Sequence, residues 1–371
     1  MGIMCQVFLN PNPDGFYRPG DRVLGIVKYA LDEETTLQDI ELTFHGKGTC
    51  SWSETSGTGS SQTTTTYHGS EVIFKYNRSI LLGGKLNHGE GSTVTLPVGA
   101  YEHPFEFRIR EGVPPSHKDN IGKITYEVRV KFKRPGMFEF NREIYLEITV
   151  KSKASFLPPQ EQEPINYAME KTLLLSKKNR INVEAEIQRS CLLASQNAEL
   201  KLVVKNYSKV TVPCVQAELI EKRIYTSNCG HSESYIKYIG ECKAQTDSVA
   251  AQSGGRFTLT VPTAADMFTI HSSSVISKQY FVKVTLKLPL PYINASMEVP
   301  LDIANTEWPR VNERRNLPNT STWVPPEIGG EWSGASGVIL PSAPPAPASD
   351  PFTDAPPSYE EVMSGNIVKK K

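Results

Sequence analysis

The sequence predicts an all-β protein: two tandem sandwich domains followed by a disordered, proline-rich tail. Three observations carry this prediction. Apolar and polar residues alternate with a period of two from the N-terminus to about residue 305, which is typical of strands with one buried face. Turn-forming residues such as Pro19-Gly20 and Pro114-Pro115 separate these segments. After Trp308 the alternation stops and proline becomes frequent.

Alternation in the first half is clearest at 124–132, where isoleucine, tyrosine, valine and phenylalanine are interleaved with charged residues and threonine. A turn at Arg134-Pro135-Gly136 precedes a second alternating segment at 144–150. Many short strands separated by such turn residues indicate a sandwich. Earlier candidate strands cover 23–31, 40–44, 72–76 and 105–109.

The second half repeats this organisation. Its candidate strands are 181–187, 200–204, 259–261, 281–288 and 297–303. Each half closes with a long strand, a turn and a second strand. The repeat is much longer than the roughly 20–50 residues of solenoid units, which indicates two copies of one domain. The predicted boundaries are 1–152 for the first sandwich, 153–165 for a linker, 166–307 for the second sandwich and 308–371 for the tail.

Three segments interrupt the strand pattern. Leu157-Pro158-Pro159-Gln160 predicts a short, stiff linker because it combines prolines with a loss of alternation. Residues 50–70 are mostly serine, threonine and glycine, and we expect a mobile surface loop there. Residues 164–178 predict a turn or two of helix.

Composition excludes several classes of function. The 371-residue chain is 39% hydrophobic and 22% charged, with a formal net charge of zero, so it lacks the basic excess of a general nucleic-acid binder. It has neither the ~20 consecutive apolar residues of a membrane span nor a secretory signal. Six scattered cysteines without a signal peptide indicate reduced thiols and a cytoplasmic location.

Motifs for catalysis and for metal or cofactor binding are missing. The chain has no Gly-x-Ser-x-Gly elbow, no phosphate-binding Gly-Lys-Ser/Thr loop and no His-Glu-x-x-His. Cys229, His231 and Cys242 come nearest to a metal cluster, but zinc ligands usually pair two to four residues apart. We therefore expect no catalytic residues, no metal and no cofactor.

The tail contains Pro356-Pro357-Ser358-Tyr359. A proline pair holds the backbone extended before any partner arrives, and WW domains bind such segments in aromatic-lined grooves. Pro356 and Pro357 would stack in one groove while Tyr359 fills a second pocket. Residues 324–328 have a similar proline pair but isoleucine in place of tyrosine, so we interpret them as linker.

A second tail motif, Pro341-Ser342-Ala343-Pro344, fits the peptide bound by the ubiquitin-conjugating-enzyme-variant domain of the ESCRT-I sorting complex. An alternative is that these prolines only form a spacer. After Lys287 the next lysines are Lys369, Lys370 and Lys371, which makes these three candidate ubiquitin acceptors for a ligase docked at Tyr359. The lysines of the folded body are the other candidates, and a terminal lysine run is also commonly just a solvated charge cluster.

The chain resembles the α-arrestins, the arrestin-domain-containing proteins. The resemblance covers essentially the whole chain and is most specific in residues 15–48 and 101–132. The segments that resemble the family are Gly15-Phe16-Tyr17-Arg18-Pro19-Gly20-Asp21-Arg22-Val23-Leu24-Gly25, Ile40-Glu41-Leu42-Thr43-Phe44-His45-Gly46-Lys47-Gly48, and Phe105-Glu106-Phe107 with Glu111-Gly112-Val113-Pro114-Pro115-Ser116. The resemblance implies two immunoglobulin-like sandwiches, the arrestin N and C domains.

The resemblance also implies a function. α-Arrestins bridge membrane cargo, such as receptors and transporters, to HECT-type ubiquitin ligases with WW domains, and ubiquitination then drives endocytosis and endosomal sorting. The expected partners are therefore such a ligase, an ESCRT-I subunit and membrane cargo, with peripheral recruitment to plasma membrane and endosomes. Many relatives carry two tyrosine-proline motifs, whereas this tail has one and lacks a recognisable clathrin-binding box, so ligase avidity and clathrin coupling are both in question.

Two alternatives remain open at this point. A redox regulator resembling the thioredoxin-interacting branch of the family would use Cys191 or Cys242 in a mixed disulfide. A retromer-like structural subunit would share the sandwiches without needing the tyrosine motif. Separately, the basic segments 131–134 and 177–180 could contact acidic lipid or cargo, although basic strand edges also commonly serve to discourage aggregation.

Overall fold

The computed structural model describes residues 2–81, 93–136, 142–152, 162–173 and 179–306. These residues form two β-sandwiches, which confirms the predicted all-β fold. The single helical element among them is one short 3-10 turn at Gly59–Ser61. The predicted tail, 308–371, lies outside the described residues.

The N-terminal sandwich packs a three-stranded sheet, ordered β1-β2-β7, on a five-stranded sheet ordered β10-β9-β4-β5 with β8 added beside β9. A small separate sheet pairs β3 with β6. The strands are β1 Ile3–Leu9, β2 Arg22–Leu31, β3 Thr35–Leu37, β4 Asp39–Ser56, β5 Thr63–Ser79, β6 Val94–Leu96, β7 Gly99–Arg108, β8 His117–Lys118, β9 Gly122–Lys133 and β10 Arg142–Ile148.

The C-terminal sandwich packs a four-stranded sheet, ordered β11-β12-β14-β17, on a five-stranded sheet ordered β13-β19-β18-β15-β16. Its strands are β11 Ile165–Thr172, β12 Arg180–Ile187, β13 Cys191–Leu193, β14 Asn197–Asn206, β15 Cys214–Thr226, β16 Ser232–Gln245, β17 Ser253–Pro262, β18 Ile276–Lys287 and β19 Ala295–Ala304.

Period-two alternation explains the central strands of both sandwiches. On β9 every second residue from Gly122 to Phe132 is buried, and its neighbours face outward. The same holds along β18 from Ile276 to Leu286. Antiparallel partners follow each strand, β10 after β9 and β19 after β18, which confirms the predicted closing hairpins.

The expected surface loop at residues 50–70 is wrong. β4 continues to Ser56 and β5 starts at Thr63, so most of this segment is a long antiparallel hairpin. Serine and threonine stabilise it by pairing across the strands: the hydroxyls of Ser53 and Thr66 lie 2.9 Å apart. Thr55 and Thr64 are similarly paired at 3.2 Å. Toward its tip, from Ser53 to Thr66, the hairpin is largely exposed on both faces, which explains the low apolar content.

The helical turns expected at 164–178 are also wrong where the structure describes them. Residues Ile165–Thr172 form β11, which pairs with β12 along its whole length at the edge of the sheet. The tertiary pairing overrides the local propensity that suggested a helix. The remaining part of that segment, 174–178, lies outside the described residues.

Candidate functional site

The sequence-predicted motif residues all lie outside the part of the chain that the structure describes. They are Pro341, Ser342, Ala343, Pro344, Pro356, Pro357, Tyr359, Lys369, Lys370 and Lys371. The described residues instead contain a polar cluster where the two sandwiches meet, and this junction is the candidate functional site.

Asp119 is the centre of this cluster. It occupies the turn between β8 and β9, and its Oδ1 accepts hydrogen bonds from the backbone NH groups of Ile121 and Gly122 at 2.9 and 2.8 Å. Its Oδ2 accepts from the hydroxyl of Tyr225 on β15 and lies 2.9 Å from Nε2 of His117. Burial acts to raise the pKa of Asp119, but these hydrogen bonds outweigh it and hold the pKa well below its usual range. Asp119 is therefore a stable anion.

Arg223 connects the cluster in the N-terminal sandwich to the C-terminal sandwich. Its Nη1 lies 3.2 Å from Oδ2 of Asp119, and its Nε donates to Oε1 of Glu221 at 2.6 Å. Arg223 and Glu221 are two residues apart on β15, so their side chains project from the same face of the strand. One guanidinium thus joins a carboxylate of the N-terminal sandwich to a carboxylate of the C-terminal sandwich.

Glu221 is itself held by two further donors. The hydroxyl of Tyr280 donates to its Oε2 at 2.7 Å, and Nζ of Lys278 lies 3.6 Å from the same oxygen. Lys278 is almost fully buried and its ammonium lies 4.2 Å from the ring centroid of Phe268. Burial lowers the pKa of Lys278, and Glu221 opposes that effect. The charges of the network consequently alternate in sign, from Asp119 through Arg223 and Glu221 to Lys278.

Apolar packing surrounds the polar cluster. Tyr225, Ile270, Val275 and Ile276 belong to the C-terminal sandwich by sequence, yet they pack into the hydrophobic core of the N-terminal sandwich. This shared core reduces the exposure of the junction to solvent, and charge pairs are stronger in such surroundings than in bulk water.

The edge strand β5 provides a second set of contacts across the junction. The carboxylate of Glu71 accepts hydrogen bonds from the backbone NH and the hydroxyl of Ser274, at 2.8 and 2.6 Å. Farther along β5, the NH of Asn228 donates to the carbonyl of His68 at 2.9 Å, and the NH of Ser70 donates to Oδ1 of Asn228 at 2.8 Å. The turn after β15 therefore caps part of the free edge of β5.

An aromatic stack marks one end of the junction. His231, in the turn before β16, stacks on Tyr67 with 4.1 Å between the ring centroids. Tyr67 in turn stacks on Trp52, with 5.4 Å between their ring centroids. Glu54 accepts from Nε1 of Trp52 at 2.9 Å and lies 2.8 Å from Nε2 of His231. The hydrogen bond from Trp52, and then that from His231, lower the pKa of Glu54.

The chain itself closes the other side of the junction. The NH and hydroxyl of Ser152, which follows the N-terminal sandwich, both donate to Oδ1 of Asn305 at 2.8 Å. The hydroxyl of Thr306 donates to the carbonyl of Ser152 at 2.6 Å. Contacts at Asp119, Glu71, Trp52 and Ser152 thus fix one relative placement of the two sandwiches, which is what a binding scaffold requires.

The cysteines of the redox alternative have the wrong surroundings for thiol exchange. Cys191 and Cys242 are both buried. Burial raises the pKa of the Cys191 thiol to about 12 and also raises that of Cys242. Reactive cysteines need an accessible, stabilised thiolate, so this environment disfavours the redox interpretation.

The described residues contain neither a metal-binding cluster nor a membrane-spanning helix. In residues 2–306 as described, no three histidine, cysteine, aspartate or glutamate side chains converge as a metal site would require. Cys229 and His231 share one turn, but His231 contacts Glu54. No helix in the same part of the chain has the length and apolarity to cross a bilayer.

The junction cluster as a whole was not predicted from the sequence. One available signal was Lys278, which occupies an apolar-face position on β18 between Ile276 and Tyr280. A lysine at such a position requires a buried carboxylate partner. Asp119 and Arg223 gave no signal of this kind, because 104 residues separate them.

Known protein families and relatives match this chain in a way that agrees with its two-sandwich architecture. Residues 5–155 match the family described as Arrestin (or S-antigen), N-terminal domain, and residues 177–307 match Arrestin (or S-antigen), C-terminal domain. Arrestin domain-containing protein 1 of Mus musculus is 24% identical over 344 residues, covering 92% of this chain and 71% of the relative. The Rattus norvegicus protein of the same name is 22% identical over 343 residues, with the same coverage.

The two domain matches occur in tandem and coincide with the two sandwiches joined at Asp119 and Arg223. Proteins of this family are non-catalytic adaptors in membrane trafficking. The chain belongs to the arrestin-domain-containing proteins and is an arrestin-like trafficking adaptor.

Proposed function

We propose that this adaptor links membrane receptors or transporters to HECT-type ubiquitin ligases with WW domains, and so promotes cargo ubiquitination, endocytosis and endosomal sorting. The observation that carries the proposal is the presence of Pro356-Pro357-Ser358-Tyr359 on a chain with paired arrestin domains. The sandwiches provide a fixed surface for cargo, and the tail motif provides a short ligand for WW domains. The expected location is the cytoplasm, with peripheral recruitment to plasma membrane and endosomes.

Calorimetric titration of the full chain against the WW-domain array of a HECT ligase tests this proposal. We expect micromolar binding that is lost in Tyr359→Ala, because the tyrosine fills its own pocket in the WW groove. Pro326→Ala is the matched control, since it alters a proline pair that lacks the tyrosine. Equal binding by Tyr359→Ala and the unaltered chain, or no binding by either, would overturn ligase recruitment through this motif.

Pro341-Ser342-Ala343-Pro344 extends the proposal to endosomal sorting through ESCRT-I. Titration with the ubiquitin-conjugating-enzyme-variant domain should show binding that Pro344→Ala abolishes and Pro347→Ala leaves intact. If both variants bind like the unaltered chain, the segment serves as a spacer.

Lys369, Lys370 and Lys371 are the proposed ubiquitin acceptors in the tail. Replacing all three with arginine keeps the charge and removes the acceptor amines. Loss of self-ubiquitination in a reconstituted ligase reaction would support them, whereas unchanged modification would place the acceptors on the folded body.

A further inference from the structure

The edge strand β16 presents a row of backbone hydrogen-bonding groups to solvent. β16 is the last strand of its five-stranded sheet, and its neighbour in the sheet is β15. The NH of Ser227 donates to the carbonyl of His231, so His231 and every second residue after it turn their backbone groups toward β15. The residues between them point their backbone groups away from the sheet, and all of these are exposed: Ser232, Ser234, Ile236 and Tyr238.

The regular part of this edge is short and carries large apolar side chains. A bulge separates Tyr238 from Lys243 in the pairing with β15, so the straight edge runs from Ser232 to Tyr238. Within it, the exposed fractions of Tyr235, Ile236 and Tyr238 are 41, 54 and 51%. An exposed edge of this composition is a template for a further strand.

Glu233 and Lys237 are the charged residues of this straight edge. They project from the same face of β16, but four residues of extended chain separate them by about 13 Å, which is too far for an ion pair. Among the residues that the structure describes, neither has an ion-pair partner. The edge is nevertheless self-complementary, because a strand turned end for end brings its lysine opposite the glutamate of the first.

We propose that this edge pairs with the same edge of a second copy of the chain, in antiparallel orientation about a two-fold axis at Tyr235. In this register the outward backbone groups of Ser234 meet those of Ile236 of the second copy, as an antiparallel ladder requires. Glu233 then lies opposite Lys237 of the second copy, and the symmetry repeats this ion pair. An axis at Ser234 or Ile236 would separate Glu233 from Lys237, and one at Lys237 would oppose two lysines.

The same register brings apolar side chains together on both faces. Tyr235 lies directly opposite its own copy, where Cβ atoms are about 4.5–5.5 Å apart and aromatic pairs are stabilising. On the other face the two Ile236 side chains are diagonal neighbours. Tyr235 already packs edge-on against Tyr225, and Nζ of Lys283 donates to the hydroxyl of Tyr238 at 2.8 Å. These contacts hold the edge in place before it pairs.

The dimer would double the number of tail motifs. A seven-residue strand pair is smaller than a standard interface of about 1,600 Å², so we expect a dissociation constant in the micromolar range. Each chain has one Pro356-Pro357-Ser358-Tyr359 motif, and a dimer presents two. A ligase with several WW domains can then bind both, which supplies the avidity that a single motif lacks. Only this consequence rests on the proposed function; the dimer itself does not.

Sedimentation velocity of the full chain over a rising concentration series tests the dimer, and we expect a reversible monomer–dimer equilibrium. Glu233→Lys and Lys237→Glu each place like charges opposite each other twice, so each should weaken dimerisation by about tenfold or more. The double variant Glu233→Lys/Lys237→Glu, and an equimolar mixture of the two single variants, should both restore it. Glu241→Lys lies beyond the straight edge and is the control for a charge reversal on the same strand.

A chain that stays monomeric across the series would overturn the proposal. So would single reversals that dimerise like the unaltered chain, equal weakening by Glu241→Lys, or failure of the mixture to restore the dimer when both variants keep the melting temperature of the unaltered chain. Glu233→Lys should also weaken binding of a tandem WW-domain array while leaving that of a single WW domain unchanged. Tyr359→Ala should dimerise normally, which separates failure of this inference from failure of ligase recruitment.

Discussion

Nη1 of Arg223, on the C-terminal sandwich, lies 3.2 Å from Oδ2 of Asp119, on the N-terminal sandwich. The pair is partly buried, with side-chain exposures of 28% and 14%. Each member is also bonded within its own sandwich, Arg223 to Glu221 and Asp119 to the backbone of Gly122. Both groups are therefore preorganised for this contact, so little ordering entropy opposes it.

Asp119→Asn should weaken the junction without changing its shape. The amide keeps one oxygen as an acceptor but loses the charge that holds Arg223, and hydrogen bonds to charged groups contribute about 1.5–3 kcal/mol each. We expect the unfolding free energy to fall by about 2 kcal/mol. Denaturant unfolding measures it, and hydrogen exchange at Ile121 and Gly122 should become faster.

Asp14→Asn is the matched control, because Asp14 is exposed and surface pairs such as that with Arg18 contribute little. If Asp119→Asn and Asp14→Asn were equally mild, the junction would not depend on the Asp119 charge.

Acidification should remove the contribution of Asp119. Its folded pKa is depressed, so the stability that it provides is fully present above the unfolded pKa of about 4 and is lost as pH falls from there toward the folded pKa. The difference in unfolding free energy between the unaltered chain and Asp119→Asn should hence shrink below about pH 4. Unfolding curves of both proteins across this range test the prediction. A constant difference would mean that folding does not depress the pKa of Asp119.

Replacing Glu221 should lower the unfolding free energy more than replacing Lys278. Glu221→Gln leaves Arg223 and Lys278 facing a neutral group in a buried setting, which should cost about 3 kcal/mol or more. Lys278→Met should cost much less, since Glu221 keeps Arg223 and Tyr280 while the thioether packs on Phe268. Denaturant unfolding of the two variants compares them directly. A larger loss in Lys278→Met would contradict the assignment of Glu221 as the shared carboxylate.

The sandwiches could be predicted from the sequence because alternation is a local signal. Strands such as β9 and β18 bury every second residue, and that pattern is readable without knowing what lies opposite. The β4–β5 hairpin could not be predicted in this way, because its threonines and serines are stabilised by partners across the strands rather than by a core. Composition alone cannot distinguish such a hairpin from a loop.

The junction could not be predicted from local patterns, for a different reason. Arg223 and Asp119 meet only after both sandwiches are formed. By contrast, the tail motifs are contiguous in sequence, which is why they could be proposed as ligands without any structure.

Gly69 on β5 is required by the close approach of the two sandwiches. A Cβ at this position would lie 2.3 Å from the carbonyl oxygen of Thr226 and 2.6 Å from Sγ of Cys50. Gly69→Ala must therefore displace backbone at the junction, and overpacking of this kind typically costs about 1–3 kcal/mol. The melting temperature should fall, and proteolysis near Asn228 should become faster because that residue caps the adjacent edge of β5.

Gly240→Ala on β16 is the control for this substitution, since a Cβ there meets nothing within 4 Å. It should leave the melting temperature unchanged or raise it slightly, because alanine restricts the unfolded chain. The contrast between the two alanines isolates the effect of the junction from the general effect of replacing glycine in a strand. If Gly69→Ala were as well tolerated as Gly240→Ala, the sandwiches would have to be free to separate at β5, and the contacts of Asn228 and Glu71 would not hold them in one placement.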